Sequence, residues 1–204
     1  MRPNPRFQVE QTDLVEALAR QPLCWVQSTA QPALASPLPL VVVETAGRLQ
    51  LHGHFARNNP LVTALAVQRS VEVLWLGQSG YQSPSWLQDR SQAPTFVYTA
   101  AQFTGDLCLL ETPTDLEFSV ERVTAQMEQL AATPGVQPWS TDELGPRRLR
   151  GIVAFRIAVA ALQVQFKLGQ NERADVFDDA CRGFERHGAG MLAKAMRDAR
   201  SEGT

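Results

Sequence analysis

Leu51-His52-Gly53-His54-Phe55-Ala56-Arg57-Asn58-Asn59-Pro60 is the stretch from which the rest of this sequence is best read. Leu49, Leu51, Gly53 and Phe55 alternate with Gln50, His52 and His54, the period of a half-buried strand. Asn59 then suits a helix N-cap, and Pro60 suits the first helical position, where its missing N–H costs nothing. The run therefore predicts a strand, a tight polar corner and a helix start. Helix N-termini present N–H groups and partial positive charge, so Arg57 beside one makes a candidate anion site, with a phosphate-bearing ligand as the obvious occupant. The competing reading is a plain cap, with Arg57 and the two asparagines facing water.

On the N-terminal side, Leu14, Ala17 and Leu18 predict a short helix capped by Thr12 and stopped by Pro22. Leu23 to Ser28 reads as a strand, Thr29 to Pro37 as a turn-rich run, and Leu38 to Glu44 as a second strand. Ala46-Gly47 then turns into Arg48 to Phe55. Three strands joined this closely favour an antiparallel sheet. On the C-terminal side, a helix from Pro60 to about Arg69 precedes a strand from Val71 to Leu76. The run Gly77 to Trp86 reads as a hydroxyl-rich loop, and Thr95 to Thr104 as a further strand. Leu116, Val120, Val123, Met127 and Leu130 form the apolar stripe of a helix over Asp115 to Ala131, started by Thr112 with Pro113 and Asp115 in a near capping box, and its Met and Leu spacing is that of core packing. Ser140-Thr141-Asp142-Glu143 is a capping box opening a short helix towards Arg150. Gly151 to Val159 suits a central strand. Leu162, Val164, Phe166 and Leu168 alternate with polar residues up to a rim at Lys167, Gln170 and Asn171. From Glu172 the chain is helical, broken by Gly183 and by Gly188-Ala189-Gly190, and its last piece, Met191 to Arg200, is short enough to need a partner. No repeat or linker divides the chain, which predicts one domain over 1–204 with a helical tail at about 172–204.

The 204 residues carry a net charge of −2 and are 44% hydrophobic and 20% charged, a soluble globular balance with no global attraction to nucleic acid. No basic run interleaved with aromatics appears. Three widely spaced cysteines, Cys24, Cys108 and Cys181, fit free thiols in a reducing compartment. No signal peptide or membrane span is apparent, which predicts a cytoplasmic protein with no membrane partner.

The motifs of common catalytic sites are missing: there is no G-x-S-x-G, H-E-x-x-H, Walker loop or G-x-G-x-x-G. His52 and His54 share a strand face, but no third ligand lies nearby, and they read as a hydrogen-bonded pair near a rim with no metal. Asp178-Asp179 and Glu185 read as a solvated face. The chain offers no general acid or base. It offers a binding constellation instead: Arg57 at a helix start, the Ser- and Tyr-bearing loop with Trp86, and the Lys-Gln-Asn group after a strand.

These residues resemble a known family. Gly53 to Pro60 is similar to the G-H-x-A-R-x-N-P run of the PaiB-type proteins, FMN-binding negative transcriptional regulators. Tyr81-Gln82-Ser83-Pro84-Ser85-Trp86 resembles their Y-x-S-P-S-W, and Pro94-Thr95-Phe96-Val97-Tyr98 their P-T-W-N-Y. Pro138-Trp139, Gly151-Ile152-Val153 and Lys167-Leu168-Gly169-Gln170-Asn171 resemble further family motifs in the same order. The resemblance implies a mainly β, α+β protein: an antiparallel FMN-binding split β-barrel with peripheral helices and a C-terminal helical tail. It also implies a homodimer with FMN at its interface, Arg57 on the phosphate, and His54, Asn58, Ser83, Trp86, Lys167, Gln170 and Asn171 as further cofactor-binding candidates. The family label implies repression of transcription, with DNA as a possible partner. The alternatives are a flavin-dependent oxidoreductase acting on a small molecule, or a degenerate member that has lost the flavin.

The sequence departs from the family pattern at three places. Ser36-Pro37 stands for Asn-His, Phe96-Val97 for Trp-Asn, and Gly169 for Ser. Three lost polar contacts at roughly 1 kcal/mol each predict FMN binding weaker by about a hundredfold.

Overall fold

The computed structural model describes residues 5–7, 9–139 and 149–201, so the expected capping box at Ser140 to Glu143 lies outside the described residues. Seven strands form one sheet: β1 (Leu23–Ser28), β2 (Ala35–Pro39), β3 (Val41–Thr45), β4 (Arg48–Ala56), β5 (Ser70–Gln82), β6 (Thr95–Leu110) and β7 (Ile152–Lys167). The order is β2-β1-β5-β6-β7-β4-β3. Among the described residues the helices beside it are α1 (Gln11–Arg20), α2 (Pro60–Val67), α3 (Pro113–Leu130), α4 (Ala174–Arg186) and α5 (Gly190–Ser201). The chain forms two compact units, one of Met1–Gln11, Leu76–Ala101 and Gln163–Thr204, the other of Thr12–Trp75 and Gln102–Leu162. Among the described residues no helix is long and apolar enough to cross a membrane.

In the second unit, the sheet is organised by one residue. The expected strand Leu38 to Glu44 is two strands, β2 and β3, separated by Leu40. β2 pairs antiparallel with β1, and β3 pairs antiparallel with β4. These are the two edges of the sheet, yet a single residue joins them. A sheet whose edges are one residue apart must curl back on itself, as a barrel does. Leu40 is fully buried at the join, and its N–H donates to the Pro22 carbonyl at 2.9 Å.

The interior of this curl holds Val26, Leu51, Phe55, Val73, Phe103, Phe155 and Ile157, all essentially without solvent exposure. Phe55 and Phe155 meet with ring centroids 4.4 Å apart. Gly53 makes room for them: a Cβ there would lie 2.7 Å from Leu40 and 2.9 Å from Phe155. α1 buries Leu14 and Leu18 and is two residues longer at its start than the Thr12 cap predicts. α2 starts as expected, with the Asn59 side chain accepting from the Leu61 N–H at 3.0 Å and Pro60 in the first turn. α3 is capped by Thr112, which accepts from the Asp115 N–H at 3.2 Å and donates to its carboxylate at 2.6 Å.

α3 also changes the reading of β4. The strand is not half-buried: Leu49, Leu51, Gly53 and Phe55 are buried, and so is His52 on the opposite face. α3 lies across that second face, where the Ser119 hydroxyl donates to the Gly53 carbonyl at 3.1 Å in a buried contact. His52 is therefore covered by a helix rather than set at a rim.

In the first unit, the run expected as a loop from Gly77 is strand as far as Gln82, and only Pro84–Trp86 turns, as a short 3-10 helix. Gly80 lies under the tail, where an added Cβ would stand 2.5 Å from Phe184 and 2.8 Å from Leu192. The partner that the last helix needs is thus its own neighbourhood. α5 buries Leu192, Ala193 and Met196, packs on α4, and is tied to it by Arg197 and Glu185 at 2.7 Å.

Candidate functional site

The candidate residues divide between the two units: His54, Arg57 and Asn58 fall in the second, and Ser83, Trp86, Lys167, Gln170 and Asn171 in the first.

At the β4–α2 corner, Arg57 is exposed but not loose. Its Nε donates to the Arg150 carbonyl at 2.7 Å and its Nη2 to the Ile152 carbonyl at 2.9 Å, while its own N–H donates to Gly151 at 2.8 Å. The start of β7 thus holds the guanidinium in a fixed direction. A guanidinium has five N–H groups, so three stay available. Among the described residues no carboxylate pairs with it. The helix start contributes less than the sequence suggests. The Leu61 N–H is taken by the Asn59 side chain and the Val62 N–H by the Asn59 carbonyl at 2.9 Å. An anion at this corner would therefore meet Arg57 more than open backbone amides. Asn58 is exposed. Asn59 also donates to the Ser36 hydroxyl at 3.2 Å, so one of the residues at a family departure braces the helix cap.

His54 lies three residues before Arg57. Its Nδ1 is buried with no hydrogen-bond partner, and burial lowers its pKa from 6.5. His52 contacts Gln50 Oε1 through Nε2 at 3.3 Å, which leaves its Nδ1 also buried and unpartnered. Its pKa is lowered by burial and then by Arg122 and Arg156. The two histidines are therefore neutral donors and acceptors rather than cations. Among the described residues no three metal-ligating side chains come together.

In the first unit the candidates are largely engaged with the protein. Ser83 caps the 3-10 turn, accepting from the Ser85 N–H at 3.2 Å and bonding the Ser85 hydroxyl at 2.7 Å. Trp86 stacks on His187 with centroids 4.7 Å apart and meets Phe184 edge-on at 5.2 Å. It lies so close over Gly183 that a Cβ there would collide with the indole. Gln170 clips its own turn, accepting from the Leu168 N–H at 2.8 Å and donating to the Phe166 carbonyl at 2.6 Å. Gly169 beside it has φ +78, a conformation that the serine of the family motif would adopt only with strain. Lys167 donates to the Thr95 hydroxyl at 2.6 Å, a neutral partner, and among the described residues no carboxylate pairs with it. Asn171 is exposed. Val97, at another departure, is buried and belongs to the core.

Asp179 departs from the solvated face that the sequence suggests. It is 6% exposed, accepting from the Gln88 N–H at 2.7 Å and pairing with Arg182 at 2.5 Å. The backbone bond from Gln88, followed by Arg182, holds its carboxyl below the usual range. This residue fastens the loop after Trp86 to α4, a role with no local sequence signal.

Among proteins of known sequence, residues 1–161 match the family model described as “Putative FMN-binding domain”. The chain is 31% identical over 142 residues to the protease synthase and sporulation protein PAI 2 of Bacillus subtilis (strain 168), a match covering 68% of this chain and 66% of that one. It therefore spans just under two thirds of that relative's length. Among solved structures, the conserved hypothetical protein Rv2991 from Mycobacterium tuberculosis superposes with TM-score 0.59 at 12% identity, over 83% of this chain and 93% of that one. The FAD and heme binding protein from Mycobacterium smegmatis gives TM-score 0.59 at 18% identity, over 87% and 80%. These likenesses, with the strand order above, make the fold an α+β split barrel. The chain belongs to the FMN-binding family whose model it matches, FMN is the cofactor that the family's description names, and the likeness to PAI 2 agrees with the PaiB-type resemblance of its motifs.

Proposed function

We propose that this protein is a homodimeric, cytoplasmic FMN-binding regulator of the PaiB type, with the flavin phosphate at the Arg57 corner. The observation that carries the reading is the state of Arg57: aimed by two backbone carbonyls, unpaired with any carboxylate among the described residues, and left with three unengaged N–H groups. Charge-assisted hydrogen bonds from such a group suit a phosphate. The unpartnered Nδ1 of His54, on the same strand, offers a further polar contact, and Asn58 a third. On the separate first unit, Lys167 is the candidate with charge to offer, and Asn171 is free to reach a ligand. Ser83, Trp86 and Gln170 would then shape their surroundings rather than bind. When bound, FMN supplies a redox-active ring system, and the protein's part is to hold it.

The dimer reading draws on β1 and its neighbours. Leu23 and Trp25 are 60% and 54% exposed, and Trp25 stands opposite Pro37 on β2 and Leu74 on β5. An apolar sheet face of this kind is where a second copy would bury its own. The tail at about 172–204 would join that assembly, leaving the chain one functional domain. Regulation of transcription follows the PaiB-type resemblance of the motifs, and a gel shift that weakens steeply with salt would support direct DNA contact.

The deciding experiment is FMN titration followed by fluorescence, on wild type and Arg57→Ala, with sedimentation to read the oligomer. Losing charge-assisted contacts of roughly 1.5–3 kcal/mol predicts a Kd weaker by about ten- to a hundredfold with the dimer intact. Equal affinity in the variant would place the phosphate elsewhere. A wild type that ignores FMN would mark a degenerate member, and NADH turnover by the loaded protein would carry the oxidoreductase reading instead.

A further inference from the structure

Three charge-bearing residues meet on the second face of β4, away from the Arg57 corner and inside one compact unit. His52 stands directly opposite Arg156 in the antiparallel β4–β7 pair. Residues so placed have Cβ atoms about 5 Å apart on one face of the sheet. α3 lies across that face. Its Phe118 meets the His52 ring edge-on, with centroids 6.0 Å apart, and the Arg122 guanidinium stands 4.5 Å above the same Phe118 ring. Phe118 and Arg122 are four residues apart on the helix and so share a side of it. Two arginines thus neighbour one buried imidazole, Arg156 by strand register and Arg122 through the Phe118 ring that both it and His52 contact.

Among the described residues neither Arg122 nor Arg156 pairs with a carboxylate, although α3 also carries Glu117 and Glu121. The depressed affinity of His52 for a proton registers both guanidiniums as like charges. His52 itself is 5% exposed with Nδ1 unpartnered, while both arginines are exposed and Phe118 is 42% exposed. The arrangement has a buried polar floor and open, cationic sides. Solvated surface arginines ordinarily spread apart; these two share the neighbourhood of one buried imidazole. A tetrahedral oxyanion between them would accept from both guanidiniums and offset the repulsion between their charges.

We propose that Arg122 and Arg156, brought beside His52 by α3 and β7, form a phosphate-class oxyanion site distinct from the Arg57 corner. His52 and Arg57 are five residues apart on one extended segment, about 17 Å along the strand. The occupant is a free oxyanion or the phosphate of a larger ligand.

The test titrates the full chain with inorganic phosphate against chloride at matched ionic strength, reading the His52 imidazole by NMR along with the protein's melting temperature. Phosphate is expected to raise both the His52 pKa and the melting temperature in wild type. Arg122→Gln or Arg156→Gln should weaken the phosphate response by roughly tenfold. The double variant should abolish the His52 response, and Arg57→Ala should leave that response in place. A parallel titration with FMN and riboflavin separates the sources. Retained FMN binding by R122Q/R156Q supports a separate site for free oxyanion or another phosphorylated ligand. Loss of FMN but not riboflavin binding in that double variant, with Arg57→Ala unaffected, merges the site with the cofactor's and overturns its independence. An unchanged phosphate response in the double variant removes the site altogether. The imidazole signal keeps these outcomes readable even where a substitution shifts stability.

Discussion

The two strand ends that carry the candidate residues use polar side chains in opposite ways. At the rim after β7, Gln170 directs both ends of its amide into its own turn, accepting from Leu168 and donating to Phe166, and a glycine at φ +78 sits beside it. At the corner after β4, Arg57 is fixed by carbonyls of another strand yet keeps three donors and its full charge unengaged. Both positions match motifs of the same family, so a motif match does not distinguish them. Hydrogen-bond capacity does. A neutral side chain that spends both its donor and its acceptor group on its own turn holds the fold, and a charged one that is oriented but paired with no carboxylate among the described residues has something to offer a ligand.

Substitutions break the comparison if this reading is wrong. The largest effect belongs to Trp86→Ala. Truncating a large aromatic that packs on Phe184, His187 and Gly183 should cost about 3 kcal/mol of stability, read as a lowered denaturant midpoint. FMN affinity, corrected for the folded fraction, should not move; a selective loss of affinity would return Trp86 to the cofactor. Gln170→Ala comes next. Removing two local hydrogen bonds, one to a half-buried turn, should destabilise by about 1–2 kcal/mol. Its FMN Kd should again match wild type, in contrast to Arg57→Ala. An affinity change in Gln170→Ala larger than in Arg57→Ala would invert the assignment.

What the sequence made legible was local. Asn59 and Pro60 opened α2 where expected, and Thr112 opened α3 through the short-range bonds that capping chemistry dictates. What escaped depended on partners distant in sequence. The break at Leu40 exists because β2 and β3 belong to opposite sheet edges, which no local propensity encodes. Gly77 to Gln82 has turn-like composition, yet β6 beside it supplies a ladder that overrides propensity. His52 looked like a rim residue because α3, which covers it, lies some sixty positions further on. Asp179 looked solvated because its anchor, the Gln88 amide, leaves no mark in sequence. The candidate corner was legible as a corner, but the carbonyls of Arg150 and Ile152 that aim Arg57 were not.

Acid separates the two regions, with the smallest expected effect. In the second unit, His52 and His54 are lowered from 6.5, chiefly by burial. The folded state therefore binds fewer protons than the unfolded chain once pH drops below about 6.5, and stability falls from there down to the folded pKa. In the first unit, the shifted acids act in a lower window. Asp89 is held down to about 2 by Ser91 and Gln92, and Asp175, Asp179 and Glu185 are lowered by bonds to Arg173, Gln88 and Arg197 respectively. Their stabilisation is complete above the ordinary carboxylate range and is lost as pH falls through it towards the folded values. Melting temperature measured from pH 7.5 to 3 should accordingly show a shallow decline beginning near 6.5 and a second decline below about 4.5. His54→Gln should flatten the first decline and leave the second, because it removes one buried imidazole and touches none of the acids. Superimposable profiles for wild type and His54→Gln would show that this histidine carries no proton linkage to folding. Its unpartnered Nδ1 would then have no bearing on stability, and the case for His54 beside Arg57 would rest on ligand contact alone.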